Sequence, residues 1–282
     1  ALILLVCLVF STRLRELAGA RGMLNFLYSF SDTSLVAGFS LFWAALVVVL
    51  PLARIPFPWL EPGAENADFV LRIQGTLFTM TGFALAMTLV QAQANLRKVE
   101  TLTQSEAAHI NNLDKLLTRY GDPTISAIRP LLHEYAVSIV KSEWPAMANG
   151  HGDEATLAKW VPVAKAVTAI VPAPGRQQTL YAEMVHTVDL VAEAREIRVE
   201  DVEIALPGIY WSVVYLAMVI LVLASCSIQR SWFRTFFLAS QAAILGALIG
   251  VIFITDHPYK GESPVPTHPF DKAIVAMKNR TS

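Results

Sequence analysis

The sequence predicts an all-α integral membrane protein with four full transmembrane helices, an apolar opening segment too short to span, and a large cytoplasmic helical domain. Three observations carry this reading. Of the 282 residues, 54% are hydrophobic and 16% charged, against roughly 25% charged in ordinary soluble domains. The apolar residues are bunched into runs close to the ~20 residues a helix needs to cross a bilayer. Finally, no useful length alternates apolar and polar residues with period two, so sheet is not expected.

Residues 1–34 comprise an N-terminal apolar segment and a basic cytoplasmic linker. The run Ala1–Phe10 reads either as the end of a span that begins earlier or as an interfacial anchor. A cleaved signal peptide is not expected, because no basic residue precedes the run and no small-residue cleavage site follows it. Residues 35–90 hold the first transmembrane pair, Leu35–Ala53 and Phe69–Val90, and residues 206–255 hold the second, Leu206–Cys226 and Phe236–Thr255. Trp59, Tyr210, Trp211 and Trp232 stand near the predicted ends, where amphipathic rings favour the headgroup layer. Residues 256–282 form a cytoplasmic C-terminal tail.

Orientation follows from Lys and Arg in short loops. Arg13, Arg15 and Arg21 precede the first full span, Arg97 and Lys98 follow the second, and Lys260, Lys272, Lys278 and Arg280 lie in the tail, which puts all three segments inside. The connection with Arg54 against Glu61, Glu65 and Asp68 suits the outside. Arg230 and Arg234, in the loop after Cys226, run against this assignment.

Residues 91–205 are the one polar stretch of domain size. No Gly or Pro stops the second span at the bilayer edge, so one helix of about 50 residues is expected to continue until the turn signal Gly121-Asp122-Pro123. A second helix starts near Pro123 and ends around Pro145 and the NGHGD loop. A third, from about Asp153, is interrupted or kinked at Pro162. After Pro172-Ala173-Pro174-Gly175 a long helix from about Gln177 carries Leu180, Met184, Val188 and Val191 at helical spacing.

The chemistry search is mostly exclusion. With 22 Lys+Arg against 23 Asp+Glu the formal charge is -1, so nucleic acid has no electrostatic footprint. Cys7 and Cys226 lie in distant apolar runs and make neither a disulfide scaffold nor a zinc site. GxxxxGK[ST] and GxGxxG are missing, His133-Glu134 lacks the second histidine of HExxH, and His151 with Asp153 and Glu154 reads as a solvated loop rather than a metal site. No enzyme, metal or cofactor is expected.

Polar groups at membrane depth are costly and tend to face a cavity. Arg72 and Gln74 stand near the outer end of the second span, and Gln91, Gln93 and Asn95 continue from its inner end. Arg72 reads either as snorkelling to the interface or as a cation at the mouth of an anion path. Met80, Phe83, Met87 and Val90 make an apolar stripe that reads either as packing or, in a ring of subunits, as a hydrophobic constriction. In the last span, Gly246 and Gly250 at small-xxx-small spacing point to close helix packing, more naturally within one subunit than between subunits.

Several patches resemble a known family. Residues Gly82-Phe83-Ala84-Leu85-Ala86-Met87-Thr88-Leu89 followed by a long polar helix resemble the second transmembrane helix of bestrophin channels, and more closely the bacterial bestrophin-like family of unknown function. SEAAHINNLDKLLTRYGDP, and Tyr135 with Glu143-Trp144-Pro145, are similar to further elements of that family. In DHPYKGESPVPTHPF, Asp256, Pro258, Gly261, Glu262, Val265, Pro269 and Phe270 match its tail motif, with Tyr259 in place of a phenylalanine. The patches run in order from about residue 82 to residue 270, and the region before residue 69 does not share them.

The resemblance implies a helical membrane protein, in a bacterial inner membrane or alternatively an organellar one, that forms a homo-oligomeric ring, typically a pentamer, and conducts small anions or other small ions. Its neck positions carry over to Phe83, Met87 and Gln91, of which Gln91 departs from the apolar pattern, and Arg72 becomes an outer attractor. No acidic cluster like the calcium clasp of animal bestrophins is present. The alternative reading is a structural or accessory subunit among other membrane proteins; a weaker one is a ligand-sensing helical bundle.

Overall fold

A computed structural model describes residues 26–52, 66–228 and 231–280. The expectations for residues 1–25, for Arg54, Trp59, Glu61 and Glu65, and for Arg230 lie outside the described residues. The described chain is helical, with helices α1 (Asp32–Leu52), α2 (Ala67–Tyr120), α3 (Pro123–Ser126), α4 (Ile128–Ser138), α5 (Trp144–Ala148), α6 (Glu154–Thr168), α7 (Arg176–Glu200), α8 (Gly208–Cys226), α9 (Trp232–Thr255) and α10 (His268–Asn279). Four of them, α1, α2, α8 and α9, are long and apolar enough to cross a membrane.

The helix boundaries follow local chemistry. α2 runs 54 residues, about 80 Å at 1.5 Å per residue, and ends where Gly121 takes φ +80° just before Pro123. α6 begins at Asp153, whose carboxylate accepts from Thr156 N at 3.0 Å and Thr156 Oγ1 at 2.7 Å, a side-chain cap for an otherwise orphan donor. Pro162 lies inside α6 without interrupting it. Between α4 and α5 the helix widens into a π-turn, Ile139–Glu143, which shifts the phase of the side chains that follow. The tail, read from sequence without secondary structure, contains α10, opened by Pro269 in its first turn.

The chain divides into two units, Ala1–Asn95 with Ala205–Ser263, and Leu96–Ile204 with Pro264–Ser282. In the first, the core gathers Trp43, Leu85, Trp211, Met218, Leu245, Ile249 and Phe253 from the four long apolar helices. The most extensive helix pair is α1 with α9, and they run antiparallel. A Cβ on Gly246 would meet Phe39 O at 2.6 Å, and one on Gly250 would meet Val36 Cα at 2.9 Å. Both glycines therefore serve a backbone-to-backbone approach inside the chain, next to a hydrogen bond from Ser40 Oγ to Ala243 O at 2.9 Å. Without a hydrophobic force between helices in lipid, such close packing and interhelical bonding are what hold a pair together.

In the second unit, Ile110, Leu113 and Leu117 of α2, Leu132 and Tyr135 of α4, Trp160 and Val163 of α6, Met184 and Val191 of α7, and Phe270 of α10 form one core. The tail is thus divided between the units, with Phe270 buried in the second.

Candidate functional site

The face of α2 that carries the predicted neck positions is left uncovered by the described residues of the first unit. Leu85 and Ala92 are buried and a Cβ added at Gly82 would lie 3.9 Å from Leu245, whereas Met80, Phe83, Met87 and Val90 are exposed, Phe83 at 67% and Met87 at 54%. The i, i+3, i+4 spacing places these side chains on one surface, and Gln91 continues it, its Nε2 donating to Asn95 Oδ1 at 3.3 Å. Arg72 is also exposed. Gln74, two residues on, turns the other way. It is buried and donates from Nε2 to Ser225 Oγ at 2.9 Å, and Ser225 in turn donates to Leu221 O at 2.8 Å. These two polar residues near the N-terminal end of α2 therefore separate, one uncovered and one bridging α2 to α8.

Trp211 is a correction to the sequence reading. It is buried, and its Nε1 donates to Asp256 Oδ2 at 3.2 Å, so it is a packing residue rather than a headgroup anchor. Trp232, at 87% exposed, stays uncovered. Asp256 closes α9 and also accepts from Leu206 N at 2.5 Å, tying the end of α9 to the approach of α8. Beyond it, buried Pro258 leads to Gly261, at φ +91°, where a Cβ would lie 3.3 Å from the Tyr28 ring. Glu262 Oε2 accepts from Asp32 N at 2.9 Å at the start of α1, where a carboxylate favours the helix N-terminus. Tyr28 donates to Phe253 O at 2.8 Å and bonds His257 Nδ1 at 2.9 Å. Asp256, Pro258 and Gly261 thus shape one turn of the first unit, while Phe270 belongs to the core of the second.

The second unit contains two polar centres that the sequence reading missed. Arg198, fully buried, donates from Nε to Glu106 Oε2 at 2.5 Å and from Nη2 to Glu106 Oε1 at 3.0 Å and Glu143 Oε2 at 2.7 Å, with Nη1 on Met147 Sδ at 2.8 Å. Arg195 bonds the other oxygen of Glu143, and Tyr135 OH donates to Glu106 Oε1 at 3.4 Å. Burial opposes the charge on Arg198, but Glu106 and Glu143 outweigh it and hold the guanidinium protonated, above its ordinary range. Burial, reinforced by Glu106, raises the Tyr135 hydroxyl well above 10.0, so it remains a donor at neutral pH. The second centre is Asp114, buried, which accepts from Arg129 Nε and Arg280 Nε, each at 2.7 Å. A signal for the first centre existed. Arg198 stands seven residues after Val191 on the buried stripe of α7, and a cation at a core position requires a buried anion. His151 and Asp153, by contrast, occupy the turn that caps α6.

A family description of the bestrophin-like domain matches residues 38–270. The chain belongs to the bestrophin-like family. The match begins at residue 38, inside α1, so the first span is part of the bestrophin-like domain, contrary to the expectation that the region before residue 69 stands apart. No curated protein and no solved structure matches the chain. In this bestrophin-like chain the patches that carried the resemblance fall at structural keystones. Tyr135 and Glu143 belong to the buried ion cluster, and Trp144 packs on Phe270 with ring centroids 5.8 Å apart. The Gly82–Leu89 run supplies both the covered and the uncovered faces of α2.

Proposed function

We propose that the protein is one subunit of a ring-shaped, homo-oligomeric, anion-conducting channel in a bacterial inner membrane, with the second unit on the cytoplasmic side and five copies closing the ring. The observation that supports this most is the uncovered apolar face of α2, in a chain that belongs to the bestrophin-like family. Copies of α2 converging on an axis would place Phe83, Met87 and Gln91 around a narrow neck. Apolar side chains at such a constriction gate by excluding water, while an amide at its inner end eases rehydration of a passing ion. Arg72 at the outer end draws anions towards the mouth.

The test is conductance of the purified protein in planar bilayers. Wild type is expected to pass current in chloride salts, and Phe83→Ala with Met87→Ala is expected to raise the open probability by widening the neck. Absence of current from a correctly assembled ring would overturn the reading and favour an accessory subunit.

A further inference from the structure

Resting on that reading, we infer that the free face of α2 beyond the neck, from Arg97 to Arg119, is a cationic track that concentrates small anions on the cytoplasmic side of the path. The inference comes from how two helices sort their charges. On α2, the carboxylates Glu106 and Asp114 are buried and neutralised by Arg198 and by Arg129 with Arg280. The residues of that stretch left exposed include Arg97, Lys98, Lys115 and Arg119, and none of the exposed ones is acidic.

On α7 the sorting is reversed. Arg195 and Arg198 turn inward onto Glu143 and Glu106, and the exposed residues from Ala182 to Glu200 include five acids and neither Lys nor Arg. The interior ion pairs thus consume the acids of one helix and the bases of the other. A chain of net charge -1 is left with a positive surface on one helix and a negative surface on another.

The α2 cations are available to an ion. Among the described residues, the side chains of Arg97, Lys115 and Arg119 make no ion pair or hydrogen bond, and only Lys98 is partnered, to Asp201 at 2.7 Å. Between them stand mainly hydroxyl and other small or neutral side chains, with the half-buried Glu100 the one acid that is not fully buried. One exposed lysine is screened within about 10 Å at 0.1 M salt. Repeated around a ring, the same position adds its potential once per subunit, and a low-dielectric wall focuses it. Since α2 continues unbroken from Phe83 to Arg119, the helix that forms the neck also supplies the track. Lys115 lies about 27 Å along the helix from Arg97.

The experiment compares wild type with Lys115→Glu/Arg119→Glu in planar bilayers, reading the chloride-to-potassium permeability ratio from reversal potentials in a KCl gradient, at low and high ionic strength. The oligomer is checked by native mass measurement, and Lys115→Gln/Arg119→Gln is carried in parallel in case the reversal impairs folding. The expected result is an assembled ring whose ratio falls by on the order of tenfold at low salt, by less in the Gln variant, and by much less at high salt. A conducting, assembled variant with an unchanged ratio would overturn the track and leave the pore reading standing. Loss of the ring in both variants would overturn it too, assigning these cations to a subunit contact with the acidic face of α7. A wild-type protein without current removes both readings.

Discussion

Arg198 carries a full charge where water cannot reach it, and its neighbours make that tolerable. Every nitrogen of its guanidinium has a partner, and Glu106 and Glu143 come from different elements, α2 and the π-turn. The wider π-turn sets the phase at which Glu143 enters the core, a role such insertions often take at sites under functional constraint. Arg198→Met is expected to destabilise the protein by about 3–5 kcal/mol, because two carboxylates are left facing one another with only Arg195. Thermal unfolding in detergent should show the loss, and adding Glu106→Gln should recover part of it; a further drop would mean the pair is not the source of the effect. Asp153 gives a pH signature of its own. Hydrogen bonds from Thr156 hold its carboxyl below 3.8. A depressed carboxyl contributes stability that is present above its unfolded value and is lost as pH falls through the folded one. Asp153→Ala should therefore cost about 1 kcal/mol at neutral pH, and the gap to wild type should close below pH 3.8, measured by melting temperature across an acid series.

At the scale of helices, α1 and α9 depend on the smallness of Gly246 and Gly250. A Cβ at Gly246 would press into backbone, at 2.6 Å from Phe39 O, so it cannot be relieved by rotating a side chain. Gly246→Leu is expected to separate the pair and sharply lower the yield of folded protein, while Ala243→Leu, beside it, is expected to act through the Ser40 bond and cost less. Helix pairing of this kind was largely legible in the sequence, because small residues four apart in an apolar run have few other uses in lipid. The four long apolar helices were legible from length and apolar content, which are enough to mark them as candidate spans. What escaped were features that join distant residues. Asp114 meets Arg280 across 166 positions, and no window of the sequence registers that pairing. α10 was hidden in a proline-containing tail, although Pro269 in its first turn favours a helix start. Trp211 was misread because an indole near a span end serves an interface and a buried carboxylate equally well until Asp256 is seen beside it.

For the whole molecule, one chain by itself leaves most of the apolar surface of its long helices uncovered. Only 17% of the apolar window of α1, and 39% of that of α9, is buried within the chain. Lipid covers part of such a surface, and the proposed ring covers another part. Native mass measurement is expected to find a closed oligomer of identical chains, and a monomer in mild detergent would contradict the channel reading. The exposed apolar stripe of α2 was legible in the sequence from its spacing, and its assignment to a neck rests on the resemblance. The charge sorting was not, since it depends on which carboxylates the fold turns inward.

The division of the tail bears on how the protein is made. The second unit is closed by α10, whose Phe270 fills its core and whose end is gripped through Arg129, bonded to Met277 O at 3.3 Å. That helix is synthesised only after α8 and α9, so the core of the second unit stays incomplete, without Phe270, until both long apolar helices have been made. Completion of one unit is thereby timed by synthesis of the other, and a nascent chain stalled before His268 would present an unfinished core to the quality-control machinery of the cell.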